Sequence, residues 1–468
     1  MEPSFISIIP PVLAVVLAFV TRDAATSLAL ACFAGVVLMG QGPQGFPDLV
    51  TRALGNESFI WVGAIELCIG VLVAFFQRSG AVRMFTERVG RWVRTRKQVS
   101  VLGWGLGLFI FFSYYFSPLF VGPVMRNLTD KYRISREKLA YIADSTSAPL
   151  VLLMPFSGWA AYLSGLAVGL AAVGDKGDAM QLFLRSIPFN FYAYLAVLMV
   201  LWISIGVVPE FGPMKAAERR AMETGNVLRE GAVPMMGKEL TELEPVESSR
   251  TGLFWNFLLP VTIIVTTNVG SFVVRGSAAV LESFMLAVGV LALVLWFQRV
   301  DNWSGIMASV YAGIKGVMPA VVILALAYCI NAVSKEMGTA EYVVSVTESW
   351  MSPALLPLLL FLVSGVVSFA TGTSWGTYAI MVPIGLPLAY QISGNTMDTL
   401  VVASFAAIAG GGVFGDHVSP LSDTTVLSSL GSACDHMDHV RTQLPYALVV
   451  AAITCVLYLA VGIWGASG

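Results

Sequence analysis

The sequence predicts an all-α polytopic membrane protein made of two inverted-topology repeats, each with a re-entrant hairpin and a broken transmembrane helix. Three observations support this prediction. Of 468 residues, 57% are hydrophobic and only 12% are charged, whereas soluble domains carry roughly 25% charged residues. Two apolar segments are interrupted by polar residues, at 144–149 and at 410–425. A third apolar segment has basic residues on both flanks.

The first half begins with apolar spans at about 4–20, 26–41 and 58–77, each near the ~20 residues that a bilayer crossing needs. Arginine then dominates the segment 78–97. Loops rich in Lys and Arg remain in the cytoplasm, so we expect this segment to be cytoplasmic. Aromatic residues between the arginines predict an interfacial amphipathic helix.

The apolar segment 99–125 is followed by a second basic segment, 126–138. Because both flanks are expected in the cytoplasm, the chain between them should enter and leave the membrane on the same side. A re-entrant hairpin with its tip near 113–118 meets this condition. One plain crossing with a basic outer loop is the alternative.

From residue 139 a span carries the polar sequence DSTSAPL, leaves the membrane near 171–180 and returns as a span at 181–207. The hydrophilic segment 208–251 is predicted to be a cytoplasmic linker between the halves.

The second half repeats this order. Spans at about 253–273, 278–298 and 307–332 precede an amphipathic segment, 334–351. The apolar segment 353–391 is interrupted by ATGTSWGT at 370–377 and is predicted to form the second hairpin. The broken span at 410–425 and a final span at about 444–465 follow. An odd number of crossings in each half inverts the second half, an arrangement typical of secondary transporters.

The two polar interruptions predict an ion site. A carboxylate at membrane depth costs about 2.5–3.5 kcal/mol on insertion scales and usually marks an ion or substrate path. A helix broken by Gly and Pro leaves backbone groups free to bind ligands. Alkali cations prefer carboxylate, hydroxyl and carbonyl oxygens. The candidate carboxylates are Asp423 first, its counterpart Asp144, and Asp416. The candidate hydroxyls are Ser113, Ser117, Ser145, Thr146, Ser147, Thr371, Thr373, Ser374, Ser419, Ser422, Thr424 and Thr425.

Simpler roles remain open for several of these residues. The alternative for Ser422, Asp423 and Ser147 is that they only N-cap the half-helices that follow them. His417 is either a proton relay or a structural histidine. The sequence CDHMDH at 434–439 has metal-binding residue types, but polar residues are ordinary at the cytoplasmic end of a helix. Glu66 receives no role, and the five cysteines are expected to pack as small hydrophobic residues.

No P-loop or Rossmann motif is present, so ATP-driven transport by this chain alone is not expected. An intramembrane hydrolase would need a ligand set such as HExxH or a Ser/His pair. A passive channel is a further alternative. We therefore expect no enzymatic activity, no cofactor and no transition metal.

The sequence GDHVSPLSDTTVLSS, with ATGTSWGTYAIMVPIGLPLA upstream and CDHMDHVRTQLPYA downstream, resembles the NhaC family of sodium/proton antiporters. The first-half segment FSPLFVGPVMRNLTDKYRISREKLAYIADSTSAPL is similar to the same family. The resemblance implies an elevator-type carrier, usually a homodimer. It implies scaffold segments at 1–98 and 252–352 and mobile segments at 99–207 and 353–468. It also implies that Asp144, Asp416 and Asp423 are the coupling carboxylates.

The expected function is exchange of Na⁺ for H⁺ across the bacterial inner (plasma) membrane, with Na⁺ bound at Asp423 and Asp144. Burial disfavours the charged form of a carboxylate and a bound cation favours it, so the two ions compete for one group. The alternative is a Na⁺- or H⁺-coupled exchanger of small organic anions or amino acids, since relatives of the family carry such solutes. The expected partners are the lipid bilayer, these ions, an organic solute in the alternative, and a second copy of the chain, but no nucleic acid.

Overall fold

A computed structural model describes residues 4–21, 23–42, 44–89, 91–111, 114–155, 157–237, 243, 245–246, 251–275, 279–347 and 352–467. The described residues are almost entirely helical. We number the α-helices α1 (Ile9–Thr21), α2 (Ala24–Leu38), α3 (Gly45–Leu54), α4 (Glu57–Arg78), α5 (Ala81–Val89), α6 (Arg96–Phe109), α7 (Phe116–Lys131), α8 (Arg136–Ser145), α9 (Ala148–Leu152), α10 (Gly158–Ala167), α11 (Lys176–Ser186), α12 (Phe191–Ile205), α13 (Gly212–Thr224), α14 (Leu259–Arg275), α15 (Val280–Phe297), α16 (Trp303–Glu336), α17 (Thr339–Thr347), α18 (Leu356–Thr371), α19 (Ser374–Ile392), α20 (Thr399–Val418), α21 (Asp423–Gly431) and α22 (His436–Ser467).

Six helices within the described ranges are long and apolar enough to cross a membrane, and a bent pair makes a seventh. The bent pair is α11 with α12, which meet at 46° near residue 190, where the sequence predicted one continuous span. Large apolar side chains cover the outside of the helices, for example Val273 at 78% and Phe297 at 71% exposure. A continuous apolar exterior of this kind requires lipid around it. The chain is therefore an integral membrane protein.

The predicted spans of both halves pack into one unit around α16, the longest helix of the described residues. A Cβ atom at Gly70 of α4 would overlap the backbone of Gly313 in α16, and the reverse also holds. The two backbones therefore touch, and only glycine permits that approach. Arg78, the last residue of α4, forms an ion pair of 2.8 Å with Asp301, just before the start of α16.

The segment 99–125 forms the predicted hairpin. Two antiparallel helices, α6 and α7, pack on each other and are joined at 110–115. With 14 and 16 residues, each measures about 21–24 Å at 1.5 Å per residue, which is less than the ~30 Å of the hydrocarbon core. Thr95 caps α6, and its hydroxyl accepts a hydrogen bond from the backbone N–H of Gln98 at 3.3 Å.

The first polar interruption divides one span into three helices. Helix α8 ends at Ser145, α9 begins at Ala148, and α10 begins after a second break at 153–157. Ser147 does not cap α9 with its side chain; its hydroxyl instead donates to the backbone oxygen of Asp144 at 2.6 Å. The capping alternative is thus wrong for Ser147.

The second half contains the matching hairpin and break. Helices α18 and α19 are joined by Gly372 and Thr373, and Gly372 has a φ of +68°, a conformation that glycine adopts readily. Helix α20 runs without interruption through Gly410, Gly411 and Gly412, and the break comes later, at 419–422. Pro420 therefore marks the break, whereas the glycines serve packing. A Cβ at Gly411 would overlap the carbonyl oxygen of Phe361 in α18.

The segment 208–251, predicted to be a linker, contains a packed helix, α13. Glu218 of this helix is 3% exposed and forms ion pairs with Arg96 at 2.6 Å and Lys138 at 3.3 Å. Arg220 of the same helix pairs with Glu137 at 2.9 Å. These ion pairs attach α13 to residues at the starts of α6 and α8, so this part of the linker lies against the basic end of the first half.

Beyond α13, residues 233–237 form a strap between two parts of the molecule. The backbone N–H of Met235 donates to the carbonyl of Cys434 at 3.0 Å. Two residues later, the N–H of Gly237 donates to the carbonyl of Gly316 in α16 at 2.8 Å. The strap thus connects the start of α22 with α16.

Candidate functional site

The break between α20 and α21 brings two of the predicted carboxylates close together in the interior. Asp416 lies in the last turn of α20 and Asp423 is the first residue of α21; they are 1% and 8% exposed. Ser422 is the N-cap of α21, and its hydroxyl accepts a hydrogen bond from Thr424 N at 3.2 Å. Capping by Ser422 is confirmed, and Asp423 lies in the first turn at the positive end of the helix, after the cap.

Asp423 is held by the tip of the first hairpin. The hydroxyl of Tyr115 donates to Asp423 Oδ2 at 2.7 Å, and both groups are buried. The ring of Tyr115 packs against Trp61 of α4, with 5.5 Å between ring centroids. A residue of the hairpin therefore lies between the spans around α16 and the broken helix.

Asp416 is held by the second hairpin. Ser374, the first residue of α19, donates to Asp416 Oδ2 at 2.6 Å. The other oxygen, Oδ1, has no hydrogen-bond partner among the described residues. The backbone oxygen of Asp416 accepts a long hydrogen bond, 3.4 Å, from the Thr425 hydroxyl. One carboxylate oxygen is thus free to take a proton or a cation.

Asp144, at the end of α8, faces a helix of the other half. The amide nitrogen of Gln443 in α22 donates to Asp144 Oδ2 at 2.7 Å. His439 Nε2 and His417 Nε2 lie 3.7 and 3.9 Å from the same oxygen. Asp144 Oδ1 has no hydrogen-bond partner in the described part of the chain. Asp144 therefore sits between two histidines and one amide.

His417 connects the two broken helices. Its Nε2 lies 2.9 Å from Ser145 Oγ, and its Nδ1 lies 2.9 Å from the hydroxyl of Tyr192 in α12. Both ring nitrogens are therefore occupied by hydroxyl groups. This arrangement holds the ring in place in both its neutral and its protonated form.

The remaining predicted hydroxyls fall into two groups. Ser117 is buried at the start of α7 without a hydrogen-bond partner among the described residues. The hydroxyls of Thr146, Thr371 and Ser419 donate to backbone carbonyls. The Thr424 hydroxyl bonds to the Ser422 hydroxyl, and Thr373 borders the cavity described below. Ser113 lies outside the described residues.

A cavity of about 860 Å³ leads to Asp423. Aromatic residues of both hairpin tips and of α10 line its inner part: Tyr114, Tyr115, Trp159 and Trp375. Arg52, Glu57, Lys335 and Glu341 border it near one end of α4 and α16. That end is opposite the Arg78–Asp301 pair. Of the three candidate carboxylates, only Asp423 lines this cavity.

Sequence reasoning missed several residues that contact the carboxylates. Tyr115 lies within the hairpin tip predicted at 113–118, where only Ser113 and Ser117 were singled out. Tyr192 lies in a long apolar run and Gln443 among the polar residues that begin α22, and nothing in the local pattern marks either of them. Glu66 of α4 was noted without a role. It is fully buried, neither of its oxygens has a hydrogen-bond partner among the described residues, and it interacts electrostatically with Asp423.

Comparison with known proteins identifies the family of the chain. The model of the Na⁺/H⁺ antiporter family matches residues 150–463. An uncharacterized protein of Haemophilus influenzae is 32% identical over 97% of this chain and 90% of its own length. The arginine/ornithine antiporter ArcD of Halobacterium salinarum is 30% identical over 50% of this chain and 47% of that protein.

The Na⁺/H⁺ antiporter NhaC of Alkalihalophilus pseudofirmus is 30% identical over 34% of each chain. The resemblance that the motifs indicated is thus confirmed by the family match and by named antiporters. A family of antiporters places the chain among transporters of the plasma membrane. The chain belongs to the Na⁺/H⁺ antiporter family.

Proposed function

We propose that this antiporter exchanges Na⁺ for H⁺ and that Asp423, Asp144 and Asp416 bind the two ions in turn. One observation carries the proposal. Three buried carboxylates lie around the helix breaks, and within the described ranges no Lys or Arg forms an ion pair with any of them. An ionised carboxylate that is buried without a partner is costly. Each must therefore hold a proton or a cation.

Competition follows from this arrangement. Asp423 lines the cavity, so a cation that enters reaches it first. Ser422, Thr424 and the free oxygen Oδ1 of Asp416 supply further hard oxygens nearby. When Na⁺ binds, the protons of these carboxylates are released, and when Na⁺ leaves they return. Exchange needs no other device.

Transport requires that the site face each side of the membrane alternately. We propose an elevator in which the hairpins and broken helices move against the scaffold of α1–α4 and α14–α16, with the scaffold joining two copies of the chain. The positive-inside rule assigns the Arg78 end of α4 to the cytoplasm, so the cavity opens outward. The tight glycine contacts within each unit support rigid-body movement.

A second candidate is exchange of a small organic anion or amino acid coupled to Na⁺ or H⁺. The cavity favours it, because 860 Å³ with an aromatic lining falls within the ~300–1,000 Å³ of ordinary small-molecule sites and exceeds what Na⁺ needs. ArcD, which is similar over half of this chain, is named an arginine/ornithine antiporter.

Reconstituted vesicles separate the candidates. Na⁺ added alone should move protons through the parental protein, and Asp423→Asn, which keeps the shape but removes the charge, should abolish this movement. Asp144→Asn should weaken it strongly. Thr454→Val is a suitable control, because among the described residues the buried Thr454 hydroxyl bonds only within its own helix, at Val450 O. Parental exchange by folded Asp423→Asn would refute the assignment of Asp423. Proton movement only when arginine, ornithine or an organic acid is also supplied would favour the second candidate.

A further inference from the structure

The sequence motif at 434–439 places two buried histidines against one hydroxyl group. His436 is the first residue of α22, and His439 follows one turn later; they are 3% and 0% exposed. Ser429 Oγ of α21 lies 3.1 Å from His436 Nδ1 and 2.9 Å from His439 Nδ1. The two imidazole rings thus face the same hydroxyl with the same ring nitrogen.

The outer ring nitrogens determine where the protons of the neutral rings lie. His436 Nε2 is 2.9 Å from the carbonyl oxygen of Pro420, which can only accept, so Nε2 carries a hydrogen. The amide nitrogen of Gln443 donates to Asp144 Oδ2 and to the carbonyl oxygen of His417. The amide oxygen therefore faces His439 Nε2, 2.9 Å away, and that nitrogen also carries a hydrogen. Both neutral rings then point a bare Nδ1 at Ser429.

One hydroxyl proton cannot satisfy both rings. Ser429 Oγ also lies 2.8 Å from the carbonyl oxygen of Thr425, so three acceptors surround a single proton. A buried nitrogen without a donor is unfavourable. One added proton removes the conflict: it turns one Nδ1 into a donor toward Ser429 Oγ, and the hydroxyl proton then serves the other Nδ1. The cluster is therefore built to accommodate one extra proton.

We propose that His436, Ser429 and His439 form a proton-holding site that exchanges its proton with Asp144. The proposal rests on the proposed function, in which Asp144 takes part in coupling. His439 Nε2 lies 3.7 Å from Asp144 Oδ2. In the transfer, the imidazolium of His439 gives its Nε2 proton to the carboxylate. The products are a neutral His439 with its proton on Nδ1 and a neutral carboxylic acid at Asp144.

The extra proton moves between the two rings through the hydroxyl. His436 Nδ1–H gives its proton to Ser429 Oγ while the hydroxyl proton passes to His439 Nδ1, so Ser429 Oγ gives one proton and receives one and the positive charge moves from His436 to His439. This site lies on the linker side of Asp144, whereas the cavity reaches Asp423.

Other titratable groups surround the pair on every side. Asp435 and His417 act on the rings through their charges, and an ion pair of Arg229 with Asp438 lies next along α22. Further charged or titratable groups lie on the elements packed here: Asp144, Cys434, Arg136, Glu137, Lys138 and Asp423.

The test compares two exchange modes in vesicles. Exchange of Na⁺ for Na⁺ needs movement of the loaded carrier but no proton step, whereas exchange of Na⁺ for H⁺ needs both. Ser429→Ala removes the shared hydroxyl and keeps both rings; His439→Gln removes the titratable group beside Asp144. We expect Na⁺/H⁺ exchange to fall about tenfold or more in each variant, as for loss of a positioned proton donor, with a flatter pH profile. We expect Na⁺/Na⁺ exchange to stay within about twofold, since neither change touches Asp423.

The controls make every result decisive. Thr454→Val should leave both modes unchanged, and Ser429→Thr, which keeps a hydroxyl, should restore Na⁺/H⁺ exchange. Parental Na⁺/H⁺ exchange in Ser429→Ala and His439→Gln would overturn the proton-holding site alone. Loss of both modes in both variants would assign the cluster a structural role and overturn it as well. If the parental protein carried out neither mode, the proposed function itself would fail, and the proton-holding site would fall with it.

Discussion

Replacing Tyr115 with Phe removes one hydroxyl from the site and leaves the ring in place. That hydroxyl donates to Asp423 Oδ2 at 2.7 Å in a buried setting. The ring contacts with Tyr114, at 4.1 Å between centroids, and with Trp61, at 5.5 Å, do not involve the hydroxyl. The change therefore removes the hydrogen bond to Asp423, together with the one between the Tyr114 and Tyr115 side chains, and keeps the ring packing.

The expected magnitude follows from the charge on the acceptor. A hydrogen bond to a charged group contributes about 1.5–3 kcal/mol, and about 1.4 kcal/mol corresponds to tenfold in an equilibrium constant. The hydroxyl stabilises ionised Asp423, which is the form that binds Na⁺. Its loss should therefore favour protons over Na⁺ by about tenfold or more.

The assay is Na⁺-driven proton movement in vesicles, measured against Na⁺ concentration at neutral and at alkaline pH. The apparent KM for Na⁺ should rise about tenfold near neutral pH and less at alkaline pH, where few protons compete. Tyr328→Phe is the matched control, because Tyr328 lines the same cavity but its hydroxyl does not bond to Asp423. An unchanged KM in Tyr115→Phe, or an equal rise in both variants, would refute the reasoning.

Three further predictions concern topology, movement and packing. Cysteines placed near Arg91 and near Arg133 should both be labelled from the cytoplasm, and cysteines flanking 353–391 should be labelled from outside. Labelling of the first two cysteines from opposite sides of the membrane would exclude the re-entrant hairpin. In an elevator, Phe120 of α7 and Phe257 lie on opposite sides of the sliding interface, with 6.4 Å between their ring centroids. A crosslink between cysteines at these two positions, in a variant without native cysteines, should stop transport until it is reduced. Free turnover of the crosslinked protein would contradict an elevator. Gly411→Ala should destabilise the protein by about 1–3 kcal/mol, because its methyl group would overlap the Phe361 carbonyl oxygen. The loss should appear as a lower thermal unfolding temperature in detergent. Gly289→Ala should cause no loss, because no described atom lies within 4 Å of its added methyl group.

The sequence predicted the features that depend on local chemistry. Polar residues and Pro420 inside apolar runs marked the helix breaks, and the basic flanks of 99–125 marked the first hairpin. The glycines were misleading, because a glycine run that weakens a helix in isolation also allows α20 to approach α18 closely. Helix α13 was missed since its stability comes from buried ion pairs with distant residues such as Lys138, which local propensity does not record.

The sequence named Ser374, which bonds to Asp416, among its candidate hydroxyls, but it named no partner for Asp423 or Asp144. Tyr115, Gln443 and Tyr192 reach Asp423, Asp144 and His417 across separations of 225 to 308 residues. Only the packing of the two halves against each other shows which of the chain's tyrosines and glutamines face a charge.

The strap at 233–237 sets a limit on how far the two parts of the molecule can separate. One anchor is Met235 at Cys434, and the other is Gly237 at Gly316 of α16. Two residues of fully extended chain span at most about 7 Å. A movement that draws the two anchor points further apart than this chain can reach must break one anchor first. The strap therefore limits how far the two anchored parts can move apart during transport. If one of the amide hydrogens of Met235 and Gly237 exchanges with solvent during turnover, it identifies the anchor that opens. Protection of both would mean that the movement stays within the reach of the strap.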